Sequence, residues 1–87
     1  MLNINKIMGI EEDVVRFMKK EFNKRVDRIK KAEEYYKKPN ITDADVDRTY
    51  PLLVELLDEQ TKIGKEIEQY TGIKIDTDII INGFKGV

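Results

Sequence analysis

The chain has 87 residues and a mass of 10.2 kDa, enough for one small domain whose single core buries a modest share of its surface. It contains no cysteine and no histidine, which excludes disulfides and thiolate metal sites and removes the commonest general base and zinc ligand. Sixteen basic and seventeen acidic residues give a net charge of −1, which argues against a wholesale binder of polyanions.

Charged residues make up 38% of the chain against about 25% in an average domain, and with five glycines and two prolines this reads as helical with a narrow apolar stripe. No run approaches eighteen apolar residues, and residues 1–10 lack the apolar stretch of a signal peptide, so a soluble, cytoplasmic protein is expected. Residues 1–10 are short and mixed. From residue 11 to 38 the pattern predicts a long helix: Val15, Met18, Phe22, Val26, Ile29, Ala32 and Tyr36 follow spacings of three and four and share one face. Glu11, Glu12 and Asp13 would occupy its first turn and Lys37 and Lys38 its last, each opposing the helix dipole.

Lys38-Pro39-Asn40 predicts a turn over 39–41, because proline disfavours helix for the residue before it. A second helix is expected over 42–71. Thr42 is its N-cap, Asp45 completes a capping box, and Ile41 and Val46 form a hydrophobic staple. Its seam runs through Leu53, Leu56, Ile63, Ile67 and Tyr70, widened by Leu52 and Leu57. Pro51 predicts a kink or break, and Gly72 a left-handed stop with Ile73 folding back on Ile67. Gly64 costs about 1 kcal/mol inside a helix relative to Ala; a close helix crossing and a tolerated surface glycine both account for it.

The tail, 73–87, is β-prone. Ile73, Ile75 and Ile79 to Ile81 are β-branched, and Asn82-Gly83 is a strong hairpin-turn signal. It is expected to form a small hairpin, to pair with the N-terminal residues 2–7, or to pair with another chain. The fold class that follows is mainly all-α, one domain spanning 1–87: an antiparallel helical hairpin with a short β-prone C-terminal extension. Two helices bury one seam each, so completion by oligomerisation, as a dimer or higher, is expected.

Few constellations point to chemistry. Asp43, Asp45 and Asp47 alternate like the start of a calcium loop, but Arg48 stands where that loop needs glycine and Val54 where it needs glutamate. Asp76 and Asp78 read as turn acids. No metal, cofactor or catalytic residue is assigned, and a hairpin with a short tail offers little room for an enclosed pocket, so a non-enzymatic role is expected. The segment Leu56–Ile67 resembles the first helix of the helical chorismate mutases over about one helix. Gln60 stands where that family carries an active-site arginine, and its other cationic residues have no counterpart, so the resemblance implies no activity.

The first helix carries the sharper feature. Arg16, Lys20, Lys24 and Arg28 lie four residues apart with Lys31 near the same line, opposite the apolar stripe. Residues 16–31 hold eight basic and two acidic side chains, whereas 39–87 hold five basic and ten acidic. Phe17 and Tyr35 project toward the basic side, although Phe17 could instead extend the core with Ile10 and Val14. Arg16, Phe17, Lys20, Lys24, Arg28, Lys31 and Tyr35 are therefore the candidate partner-binding residues. The partner expected is a protein with an acidic surface, or the acidic half of another copy, met by a small adaptor, assembly factor or inhibitor. The alternative is a nucleic-acid binder whose cations track phosphates and whose aromatics stack on bases. No membrane partner is expected.

Overall fold

The computed structural model describes the backbone of residues 4–87 and the side chains from residue 12 onward. In chain order it holds α1 (Ile4–Tyr36), α2 (Asp43–Thr71) and α3 (Thr77–Asn82), with α1 and α2 packed as an antiparallel hairpin. The all-α hairpin architecture matches the sequence pattern. Among the described residues no helix is long and apolar enough to cross a membrane.

The first helix starts at Ile4 rather than residue 11. Gly9 is the poorest helix former between them, and its cost of about 1 kcal/mol does not halt a cooperative helix. Glu12 and Asp13 therefore lie well inside α1 and not in its first turn. The helix ends at Tyr36, so Lys37 and Lys38 fall just beyond it. There Lys37 N–H and Lys38 N–H donate to Glu34 and Tyr35 carbonyls at 3.2 and 3.3 Å, tightening the chain into the turn before Pro39.

The start of α2 is built as its sequence dictates. Asp45 N–H donates to Thr42 Oγ1 and Thr42 N–H to Asp45 Oδ2, both at 3.2 Å, a complete capping box. Those hydrogen bonds, with Thr42's backbone contribution first, hold the Asp45 carboxyl below its ordinary range. The helix runs unbroken through Pro51. Pro51 and Asp47, whose carbonyl loses its donor there, are both exposed, so the missing bond leaves no buried group unsatisfied. At the far end Gly72 takes φ 71°, and its N–H donates to Glu68 O at 2.8 Å.

Met18, Phe22, Val26 and Ile67 form the core, with Val15, Ile63, Ile75, Ile79 and Phe84 packed against it. Ile73 does not fold back on Ile67; it is 70% exposed, and Ile75 takes the inward place. Gly64 is explained by that place: a Cβ there would sit 3.2 Å from Ile75 Cδ1 and 3.4 Å from Phe22 Cε2, so the glycine admits a close crossing.

The tail is where the expectation of β structure and the observed backbone differ. Residues 77–82 form a helix, and no strand occurs among the described residues. Asp76 caps it, accepting from Ile79 N–H at 2.9 Å, and Asn82-Gly83 ends it, with Gly83 N–H donating to Ile79 O at 2.7 Å. The β propensity of three isoleucines yields to docking, since propensity in a short segment is a weak preference. Asn23 donates to Phe84 O at 2.9 Å and accepts from Phe84 N–H at 2.7 Å. Gln60, 95% buried, donates to Ile80 O at 2.8 Å. Phe84 meets Phe22 edge-to-face at 5.2 Å.

Candidate protein-interaction face

The hairpin has two broad faces. One is covered by Ile75, α3 and Phe84. The opposite face is bare, and two shallow clefts there are lined by α1 and α2 alone. The first lies among Phe17, Met18, Glu21, Arg25, Ile63 and Glu66, the second among Arg28, Leu52, Glu55, Leu56 and Glu59. Phe17 and Leu52 are 63% and 62% exposed, so each cleft is flanked by a large apolar group in water.

The candidate partner-binding residues divide between this face and the outer edge of α1. Phe17, Lys24, Arg28 and Tyr35 recur at helical spacing as one column on the bare face, with Lys31 beside it. Lys20 turns outward, away from α2, and Arg16 turns to the other side, where it lines a cleft with Tyr70 and Thr71 of α2 and Lys85 to Val87. All are exposed except Tyr35, which is half-buried. Tyr35 packs edge-to-face on Tyr36 at 5.7 Å, and the Lys38 ammonium lies 5.7 Å from its ring. Two of the cations are partly answered within the helix: Arg16 lies 3.8 Å from Asp13, and Lys24 pairs with Glu21 at 3.2 Å. Lys20, Arg28 and Lys31 have no ion-pair partner among the described residues.

Between the clefts an ion cluster fastens the helices. Arg25 Nε donates to Glu59 Oε2 at 2.9 Å, and its Nη1 donates to both the Glu21 carboxylate and the Glu21 carbonyl. The bond to Glu59 raises the Arg25 pKa, while bonds from Lys24 and then Arg25 hold the Glu21 carboxyl below its ordinary range. Arg25 and Glu21 are each under a quarter exposed, so this pair is screened less than a free surface pair.

Facing the cationic column, α2 presents a second one that the sequence reading did not assign: Leu52, Glu55, Glu59, Lys62 and Glu66, spaced three, four, three and four apart, three carboxylates to one cation. Their helical spacing was visible in the sequence. Their place beside the α1 cations depends on how α2 is rotated about its axis, and that rotation is set by Gly64, Gln60 and the docked tail. The arrangement is a two-column surface, net basic and aromatic on α1 despite Glu21, net acidic and aliphatic on α2 despite Lys62. Three of the five carboxylates the sequence singled out have local work: Asp45 completes the capping box of α2 and pairs with Arg48 at 3.2 Å, Asp76 caps α3, and Asp78 accepts from Asn82 at 2.9 Å.

No family model, curated protein or solved structure compared with the chain matches it.

Proposed function

We propose that this protein is a non-enzymatic interaction module, a small adaptor, assembly factor or inhibitor that acts by laying the bare face of its hairpin on a protein surface. One observation carries the reading. The hairpin commits one face to its tail and leaves the other with Phe17 and Leu52 exposed among ordered charges. Large apolar groups rimmed by charge are the composition of a recognition surface. The cations of α1 select an acidic partner, and the apolar clefts supply the burial that holds it.

Nucleic acid is the weaker reading. A phosphate chain laid on Lys24, Arg28 and Lys31 runs beside Glu55 and Glu59, which repel it.

The test pairs two measurements on wild type and a Lys24→Glu/Arg28→Glu double reversal: melting temperature, and proteins retained from a host extract, quantified by mass spectrometry. The reversal should shift stability by only a few tenths of a kcal/mol per site, since neither residue is a cap or a core residue. Retention should be lost. Equal retention by both proteins would remove the stripe from the interaction surface. A salt-dependent gel shift with DNA or RNA, abolished by the same reversal, would favour the alternative.

A further inference from the structure

The two columns of the bare face complement one another, and this says what covers it. Resting on the interaction-module reading, we propose that the occupant is a second copy of this chain, docked face to face about a two-fold axis parallel to the hairpin.

The register of the hairpin is given by its cross-helix contacts. Arg25 meets Glu59, Tyr36 hydrogen-bonds Thr49 at 2.8 Å, and Phe22 crosses Gly64, so residues at one height have numbers that add to between 84 and 86. Two face-to-face arrangements obey two-fold symmetry. An axis parallel to the hairpin preserves height and lays α1 of each copy on α2 of the other. An axis perpendicular to the hairpin, lying in the interface, lays α1 on α1 and α2 on α2. Both place every neighbouring helix antiparallel, so the helix dipoles do not choose between them.

Side-chain charge does choose. With the parallel axis, Lys31 of one copy comes down at the height of Glu55 of the other and Arg28 between Glu55 and Glu59, while Lys24 falls between Glu59 and Lys62; two-fold symmetry makes each pairing twice. Phe17 of each copy lands beside the cleft floored by Met18 and Ile63 of the other. With the perpendicular axis the cationic column meets itself and so does the acidic column, a like-charge juxtaposition that opposes binding. Among the described residues Arg28, Lys31 and Glu55 have no ion-pair partner within the chain, so they are free to pair across such an interface.

Three variants test this, none touching the Glu21–Arg25–Glu59 cluster. Light scattering on wild type at micromolar concentration should give twice the chain mass of 10.2 kDa. Arg28→Glu/Lys31→Glu alone, and Glu55→Lys alone, should each weaken self-association by about tenfold or more, a loss of ~1.4 kcal/mol. An equal mixture of the two should recover the dimer, because the reversed columns then face each other. Melting curves establish that each variant is folded. The orientation is read separately from a spin label at Asn40→Cys, unique because the chain has no cysteine. With the parallel axis both turns share one end of the bundle, and the label distance should fall below about 25 Å. With the perpendicular axis the turns sit at opposite ends, about 40 Å or more apart given 29 residues in α2. A monomeric wild type, a dimer with the long distance, or variants that dissociate without recovering on mixing would each overturn the proposal. A monomer whose stripe still captures an acidic protein would leave the interaction-module reading standing.

Discussion

Asn23 binds the C-terminal segment with both ends of one amide, donating to the Phe84 carbonyl and accepting from the Phe84 N–H across 61 positions of sequence. Replacing it by alanine leaves two half-buried backbone groups without partners, at a cost of about 1–3 kcal/mol. Asn23→Ala should therefore lower the melting temperature and speed hydrogen exchange at residues 75–84 while α1 and α2 stay helical. Exchange that accelerates evenly along the chain would show that the clamp is not local. Gly83 belongs to the same joint, since it sits at φ 83° and a Cβ there would lie 2.6 Å from Asn23 Oδ1. Asp45 makes a prediction in pH. Its carboxyl titrates below its ordinary range in the folded chain, so its contribution is complete above that range and is lost as pH falls through the folded value. Asp45→Asn should destabilise α2 near neutral pH, and the gap from wild type should narrow as pH falls below the ordinary aspartate range. A gap that stays constant down to pH 2.5 would mean that the carboxylate charge is not what stabilises the cap.

At the scale of elements, the tail completes the core that two helices leave open. Ile75, Ile79 and Phe84 cover Phe22 on the side where Gly64 makes room. Half-burial of these three side chains amounts to about 3 kcal/mol, a large part of the stability of so small a domain. Truncation after Gly72 should accordingly drop the melting temperature by more than 10 °C or abolish cooperative unfolding. Full retention of stability would mean the tail serves a partner instead. What the sequence made legible among these elements is what local chemistry decides. The capping box at Thr42, the left-handed stop at Gly72 and the 3.6-residue period of Met18, Phe22, Val26 and Ile29 act over one or two turns. The tail helix was not legible, because the contacts that select it reach from Ile80 to Gln60 and from Phe84 to Asn23. Gln60 did leave a signal: it stands at seam spacing between Leu56 and Ile63, a polar residue where an apolar one is due. The α1 half of the interaction face followed from periodicity alone. The acidic column of α2 needed the rotation of that helix, which no local pattern encodes.

The whole molecule is a rod of 64 × 21 × 17 Å whose charge is divided lengthwise, net basic on α1 and net acidic on α2, with a tail whose two lysines and two aspartates cancel. Ionic strength separates the forces that fold such a rod from those that pair it. Folding rests on the apolar core and on the Arg25–Glu59 bond, whose groups are 21% and 37% exposed and therefore only partly screened. Pairing of the bare faces rests on Arg28 and Lys31 meeting Glu55 and Glu59 at the surface, with Phe17 and Leu52 adding apolar burial that salt does not weaken. The Debye length shortens from about 10 Å at 0.1 M salt to about 3 Å at 1 M, so the surface term fades across that range while the core term persists. Raising sodium chloride from 0.1 to 1 M should thus weaken self-association severalfold and move the melting temperature of the dilute monomer by no more than a few degrees. Sedimentation equilibrium at the two salt concentrations, beside melting curves at nanomolar protein, makes the comparison. Association that holds or strengthens at 1 M would assign pairing to Phe17 and Leu52 alone, and the charge columns would then lose their part in choosing the orientation.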